Sequence, residues 1–568
     1  MSPAKHGGRA FAAGPVVIAN KPVDGAWDDE LVSCVVDENV GLPDTAVLTY
    51  HDGNREFLST NGITIGTPLR ILVASARSQA DELLFAGEVT AVEMDLDATG
   101  AHTVVRAMSK AHRLFRGRRV QAYQNMTASA IVTKVAKAAG LAVGRVEAPR
   151  ITYKHLSQPG VSDWDFLQML AREHGAVVRV DDKGRLEFTK PKPAAGAPSP
   201  TTSAEKHPMV LEFGRNLLVL RAALSSAEQA NGVQVRSWDV ARKKALVAVQ
   251  NSTRSKVAVP GVPSTTAGKV FGAKNRALVT DVPYATQAEA TAAARSLEAS
   301  ISAGFAELEA VVEGNPKLRA GVPIALGNVG DAFSGRYTAT AVTHVLEPDR
   351  GYRTTVVVSA THDRSLAGLA TGDAAAAATA PRMPGLATGI VTDIKEVGGQ
   401  RGWVKLKFPW LDDKYVTDWV RTVQLGGVGG GGVFSPDVND EVLVGFEQGS
   451  LNRPYVLGGL YNGVDVPSPH DDPLVDRRSG KVNRRSLVSR KGNRVELLDG
   501  PRNSGVRLVS GDKRLEVRLD EKRGRLELSV RGPGGRGVLG SLRIDGTGIA
   551  LDAKNGVVRI NGRMIRLN

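Results

Sequence analysis

Cysteine is almost absent from the 568-residue chain: Cys34 is the only one. One thiol can build neither an intramolecular disulfide nor a cysteine-based zinc site, so the expected role of Cys34 is that of a small buried hydrophobe. Aromatic residues are scarce, at 5%. Residues 476–568 contain no Trp, Tyr, Phe or His at all. No run approaches the ~18 apolar residues of a membrane span. The opening 18 residues carry charges and glycines in place of the apolar stretch of a signal peptide, so the chain is expected to be made in the cytoplasm without one. Catalytic signatures are missing too. There is no H-E-x-x-H and no G-x-S-x-G, and the glycine run 426–432 (GGVGGGG) is followed neither by Lys-Ser/Thr nor by a helical pattern, so it reads as a barrel loop.

What the chain does have is length, glycine and a lopsided charge. At 568 residues it far exceeds the ~250–300 at which single cores stop growing, and several domains are expected. The 62 Gly and 28 Pro point to many turns and short strands, hence to a mainly β or α+β protein. The formal charge is +14, but residues 476–568 hold 23 Lys+Arg against 10 Asp+Glu, so nearly all the excess lies there. A nucleic-acid binder would set such charge beside stacking aromatics, and here the two are in different parts of the chain. The basic segment reads as the solvated face of a strand array.

Low-complexity stretches divide the sequence. Residues 190–203 (KPKPAAGAPSPTTS) and 366–384 read as linkers, and 466–473 (VPSPHDDP) is a shorter break. Before the first linker, runs at 31–36, 45–50, 69–73 and 103–107 alternate with a period of two, which makes one strand face apolar. The period then changes. Ile131, Val132, Val135, Ala138 and Ala139 recur at helical spacing behind Thr127 as N-cap, with Gly140 past the end. A second helix starts at Ser162, with Asp165 placed for a capping box, Trp164, Leu167, Leu170 and Ala171 on one face, and His174–Gly175 closing it. A hairpin at 176–188 follows. Residues 208–365 read as a second barrel carrying one helix from about Gln287 to Ile301. Residues 385–465 offer five strands (389–394, 404–408, 418–423, 441–446 and 455–460) in a span that suits an OB-type barrel. Short amphipathic strands then recur at 506–509, 515–519, 526–530, 542–544, 549–551, 557–560 and 564–567. One chain alone would leave such a ladder with exposed edges and a thin core, which association around an axis would mend.

Candidate chemical residues have plainer readings. Asp28–Asp29 and Asp412–Asp413 stand in turn settings without a second converging group, so they read as turn formers. His362–Asp363 and His470–Asp471–Asp472 lie beside the joints, where solvated polar residues are ordinary. Trp403, Trp410 and Trp419 could form a stacking platform on the OB-like block, but that block is not basic and packing is the expected use. No catalytic, cofactor-binding or metal-ligating residue is assigned, and no cofactor is expected.

Four segments, 404–413 (VKLKFPWLDD), 419–421, 436–446 (PDVNDEVLVGF) and 453–462 (RPYVLGGLYN), closely resemble the OB-fold module of VgrG and phage-tail spike proteins. Upstream, 162–175 (SDWDFLQMLAREHG) and 315–326 (NPKLRAGVPIAL) resemble the hub module of that family, and downstream 485–498 (RSLVSRKGNRVELL) resembles the opening of its needle. The resemblance implies two hub barrels with an inserted helical segment, an OB barrel and a trimeric β-needle. It also implies a structural and non-enzymatic role as baseplate hub and membrane-piercing spike of a contractile injection machine, adapting a hexameric tube to a threefold needle. The expected division is 1–112 first barrel, 113–190 helical and hairpin segment, 191–207 linker, 208–365 second barrel, 366–384 Ala-rich linker, 385–465 OB-fold, 466–480 connector and 481–568 needle. The N-terminal segment is more similar to VgrG-related proteins of phage tails and extracellular contractile particles such as antifeeding prophages than to type VI secretion VgrG. Implied partners are two further copies of the chain, a PAAR-type tip protein at the C-terminal end, tube and baseplate proteins at the hub end and the target membrane, with no specific nucleic acid. The implied place is an assembled particle, whether cytoplasmic, membrane-anchored or released. A tail-associated cell-wall hydrolase and an OB-type nucleic-acid binder are the alternatives. The last strand-like run reaches Asn568, so no catalytic domain is expected after the needle.

Overall fold

The computed structural model describes residues 15–75, 78–98, 100–226, 229–252, 257–258, 276–348, 350–359, 383, 385–395, 402–427 and 429–566. The chain divides into two compact units, Met1–Gly459 and Leu460–Asn568.

Alternation builds the first unit. In Leu31–Asn39, Leu31, Cys34 and Val36 turn inward, and in Thr45–His51 so do Ala46, Leu48 and Tyr50. These strands belong to one eleven-stranded sheet. Its order is Leu217–Leu224, Ala306–Glu313, Gly351–Val358, Ala341–Glu347, Leu31–Asn39, Thr45–His51, Gly100–Met108, Ser78–Asp97, Pro68–Ser75, Val16–Ala19 and Lys21–Pro22. The two blocks expected as hub barrels share this sheet. The joint is the antiparallel pairing of Ala341 with Asn39 through Leu346 with Cys34. Each strand would otherwise end its block with a row of unpaired N–H and C=O groups, and pairing satisfies both rows at once. The joint strand also feeds two cores, Leu346 packing with Cys34, Leu48, Phe57 and Phe85, and Val342 packing with Leu308, Val312, Leu326 and Val356.

Residues 191–207, expected as a linker, are packed. Ala197 and Ala204 are buried with Val210 and Ala325. Thr338 Oγ1 donates to the Lys192 carbonyl at 3.0 Å, and Arg336 Nε donates to the Pro198 carbonyl at 3.1 Å. The small side chains that suggested flexibility are what lets the segment lie flat on the strand Pro323–Gly327. A Cβ at Gly327 would stand 2.4 Å from the Pro200 carbonyl oxygen, so only glycine fits this approach. The Ala-rich stretch 366–384 lies outside the described residues apart from Met383.

The helical segment follows its caps. Thr127 accepts from the Ala130 amide ahead of Ala128–Ala138, and Ser162 accepts from the Asp165 amide ahead of Asp163–His174. Their inward faces, with Ile131, Val135, Trp164, Leu167 and Leu170, form a core closed by Val178, Leu186 and Phe188 of the hairpin. A further helix, Gln287–Ala303, is capped by Thr286 and lies against Asp163–His174 and the hairpin of Gly232–Asp239 with Lys244–Asn251.

The OB-type barrel has five strands in the order Lys405–Lys407, Leu386–Asp393, Glu441–Phe446, Pro454–Gly459 and Arg421–Thr422, around Val391, Leu406, Phe408, Tyr415, Val442 and Val444. It is docked on the strand pair Arg119–Thr127 and Thr152–Val161. Val120 and Ala122 pack on its core, Ser157 Oγ and the Tyr415 hydroxyl are 2.7 Å apart, and His155 Nε2 donates to the Val416 carbonyl at 3.1 Å.

The second unit is an antiparallel meander of seven strands: Arg484–Val488, Arg494–Asp499, Ser504–Val509, Leu515–Asp520, Arg525–Arg531, Val538–Asp545 and Gly548–Asp552. The strands expected at 557–560 and 564–567 do not form among the described residues. A strand exists only by pairing its backbone groups, and within one chain the stretch after Asp552 finds no neighbour. Among the described residues, no helix is long and apolar enough to cross a membrane.

Candidate functional site

Register turns the alternation of the meander into two unlike faces. On one face, Leu487, Val495, Leu508, Val517, Leu528, Leu542 and Leu551 are cross-strand partners in a single unbroken row. Beside it runs a second row, Leu497, Val506, Leu519, Leu526, Ile544 and Ile549. These side chains are left open: Leu508 is 41% exposed, Leu528 40% and Leu551 55%. Burying the open half of such a side chain is worth about 1 kcal/mol, so the two rows together hold on the order of 10 kcal/mol of unrealised burial. Isolated surface ion pairs, at about 0–1 kcal/mol each, do not compete with that. Soluble monomers rarely expose an apolar patch of this kind.

The opposite face is sealed by charge. Its central row is Glu496, Arg507, Arg518, Glu527 and Arg543. Arg507 is the hub of it, with Nε donating to Glu516 Oε1 at 2.8 Å, Nη1 donating to Asp471 Oδ2 at 2.8 Å, and Glu496 Oε2 3.5 Å away. Arg531 holds the second Glu516 oxygen at 2.9 Å. Residues 468–472 cross this face as a strap. His470 is bonded to Glu496 and to Ser468, Arg484 Nε donates to the Asp472 carbonyl at 2.9 Å, and Asn503 Nδ2 donates to the Asp472 carboxylate at 2.8 Å. The Arg507 guanidinium, hydrogen-bonded to Asp471, holds that carboxyl below its ordinary range. Glu496 and Glu516 are buried under the strap and the arginines. One chain thus closes its own polar face and leaves its apolar face without a cover.

Of the three residues expected to be solvated, Asp471 is exposed, whereas Asp472 is half-buried and the His470 side chain is buried. They are the strap, and the cross-strand Glu496–Arg507 pair opposite them is the signal that could have found it. The three tryptophans are not brought together as a platform. Trp410 donates Nε1–H to the Thr388 carbonyl at 2.7 Å, Trp419 lies under Lys405 Nζ, and Trp403 is half-buried. Asp412 Oδ1 accepts from the amides of Lys414 and Tyr415, the geometry of a turn former. Asp28 follows a short 3-10 turn at Gly25–Trp27. His362 and Asp363 lie outside the described residues. Among the described residues, no group of three or more His, Cys, Asp and Glu side chains is arranged to hold a metal ion.

A half-buried acid leaves no signal in the sequence. Glu173, at the end of the Asp163–His174 helix, is pushed up to about 8 by burial and then by the facing Glu289 carboxylate, while burial pushes His174 down to about 4. The Tyr153 hydroxyl and His174 Nε2 are 2.8 Å apart beside them. Both residues read as helix-end polar groups in the sequence, because the elements that cover them come from distant segments.

Comparison with known proteins bears on both units. The family model described as the Alg8 N-terminal domain matches residues 29–348, and that of the type VI secretion system/phage-baseplate injector OB domain matches residues 387–461. Among solved structures, the half-lidded PdpA-VgrG complex of Francisella aligns at 10% identity and a TM-score of 0.50, over 96% of this chain and 88% of that one. An E. coli protein described as a component of the type VI secretion system aligns at 16% identity and 0.45, over 76% and 97%. The 43 kDa tail protein of prophage MuSo2 from Shewanella oneidensis aligns at 13% identity and 0.45, over 61% and 97%. No curated protein sequence matches the chain.

Proposed function

The chain belongs to the Alg8 N-terminal domain family through residues 29–348, and from its likeness to the baseplate-injector OB domain over residues 387–461 we propose that it is the structural hub and spike of a contractile, phage-tail-like injection particle. The observation that carries this reading is the meander with one face sealed by charge and the other apolar and uncovered. Three copies related by a threefold axis bring three apolar faces together, which gives the thin strands a common core and covers their rows in one step. The result is a stiff needle whose outer face is the charged one. The role is mechanical: the driving free energy comes from contraction elsewhere in the particle, and this chain supplies stiffness and docking geometry.

The finer assignments follow the same logic. Residues 1–365 form the hub, 385–465 the OB adaptor and 481–568 the needle. At the hub end the partners are tube and baseplate proteins. The edge strand Leu217–Leu224 supports this, since it is paired on one side of the eleven-stranded sheet and exposes Leu218 and Val219. At the needle end the partner is a small PAAR-type tip protein. Val557, Ile560, Met564 and Ile565 are all more than half exposed there, an apolar surface that a cap would cover.

Light scattering on the purified full chain tests the core of the proposal. Three chains of 60.1 kDa give a species of about 180 kDa. Leu508→Glu with Leu528→Glu, which puts carboxylates on the apolar rows and touches nothing on the charged face, is expected to abolish that species. A stable, soluble monomer of the unaltered chain would overturn the reading.

A further inference from the structure

The two edges of the meander are charged differently. Because consecutive strands alternate in direction, the turns at 489–493, 510–514, 532–537 and the stretch after Asp552 fall on one edge. The first three of these are in contact. The Gly511 amide donates to Asn493 Oδ1 at 2.7 Å, a Cβ at Gly511 would lie 1.7 Å from the Lys491 carbonyl oxygen, and one at Gly535 would lie 2.9 Å from Lys513 Cβ. The edge therefore gathers Arg490, Lys491, Lys513, Arg514, Arg536 and Lys554, all exposed. The one carboxylate in these turns, Asp512, is engaged locally, accepting from the Ser510 hydroxyl at 2.5 Å and the Arg514 amide at 3.0 Å. Lys554 is paired with Asp552 at 2.8 Å and Lys513 stands 3.9 Å from Asp471. The opposite edge is close to balance, with Arg484, Arg502, Lys522, Arg523 and Arg525 among Asp499, Asp520, Glu521 and Asp545.

We infer that this basic edge is a docking stripe for the phosphate groups of an anionic lipid bilayer. Its cations lie on adjacent turns along one line, so a flat array of phosphates can meet several at once, and each cation near such a surface adds to the attraction. A nucleic acid is the poorer occupant. The whole segment 476–568 has no aromatic ring on which a base could stack. Attraction of this kind reaches about 8 Å at physiological salt, so the stripe acts at contact and holds the spike against the membrane instead of steering it from a distance. The stripe is complete within one chain and does not depend on how many copies assemble.

The test is co-sedimentation of the full-length protein with vesicles of phosphatidylcholine alone or mixed with phosphatidylglycerol, at low salt and at about 0.15 M. Binding is expected only to the mixed vesicles, weakening with salt. Lys491→Glu, Arg514→Glu and Arg536→Glu together are expected to weaken it roughly a hundredfold. Arg502→Glu, Lys522→Glu and Arg523→Glu, the same charge change on the opposite edge, are expected to leave most of it. Equal losses from both triple variants would mean that net charge alone matters and would overturn the inference, as would equal binding to neutral vesicles. Tighter binding to a random single-stranded DNA than to the mixed vesicles would assign the edge to nucleic acid and equally overturn it. Should the Glu variants melt lower than the parent, the corresponding Gln variants give the same comparison with a smaller expected loss.

Discussion

His344 and Glu173 set opposite limits on stability. His344 sits fully buried in the strand that joins the two halves of the large sheet. Its Nε2 is 3.0 Å from the Leu318 carbonyl, which can only accept, so Nε2 carries the proton and Nδ1 accepts from the Tyr352 hydroxyl at 2.8 Å. Burial, with Arg319 nearby, pushes its pKa down to about 3. The folded value lies below the unfolded one, so His344 contributes stability that is complete above the ordinary histidine range and is lost as pH falls toward 3. Glu173 has the reverse sign. Its folded pKa, about 8, lies above the unfolded one, so its contribution is complete below the ordinary carboxylate range and is lost as pH rises through 8. Glu173→Gln is expected to raise the melting temperature at pH 8 and to change it little in mild acid. A variant whose melting temperature tracks the parent's at every pH would show that the carboxyl is not held neutral. The helix caps at Thr127 and Ser162 were legible in the sequence because a cap is decided within four residues. The partners of His344 were not, because Leu318, Tyr352 and Thr354 reach it only through strand pairing.

Single elements show where periodicity carries information and where it stops. The alternation at 506–551 correctly separated an apolar from a polar face, since side chains in a strand must alternate. It did not foretell that 468–472 would be laid across the polar face. That strap hangs on Arg507, whose removal leaves Glu496 and Glu516 buried with fewer cations. Arg507→Met is expected to cost about 3–5 kcal/mol, the range for breaking a buried pair on one side. Arg485→Met, which removes a surface partner of Asp499, is expected to stay within about 0.5 kcal/mol. Hydrogen exchange of the amides at 494–520 in the full-length protein reads the difference, and equal protection in both variants would refute the strap's role. At 557–560 and 564–566 the apolar spacing of a strand is present, and among the described residues of the one chain the neighbouring strand is not.

At the scale of the whole molecule, the described apolar surface after Asp552 and the two rows of the meander separate two kinds of association. In the proposed trimer, covering the rows would join like chains, whereas covering the C-terminal stretch would need a different protein, because a threefold axis would bring its three copies to one blunt end. Deleting 563–568 is expected to abolish binding of a PAAR-type tip protein, read by pull-down with the assembled spike, while light scattering still finds the about 180 kDa species. Loss of both together would place this stretch in the core of the assembly. Retention of tip binding would assign the cap elsewhere.

The sequence by itself determined what depends on neighbours along the chain: strand and helix periods, capped helix starts, the five strands of the OB barrel with their motif, and the concentration of positive charge after Asp476. Only the tertiary structure decided what depends on residues far apart in the chain. The Ala341–Glu347 strand joins a sheet begun about three hundred residues earlier, and the proline- and alanine-rich stretch at 191–207 becomes packed structure instead of tether. Six exposed cations, from Arg490 to Lys554, fall on one edge of the meander because successive strands alternate in direction. Local patterns fix which way a side chain points relative to its own backbone. Which backbone it then meets is set by the pairing of unsatisfied N–H and C=O rows, and that pairing leaves no mark on either segment alone.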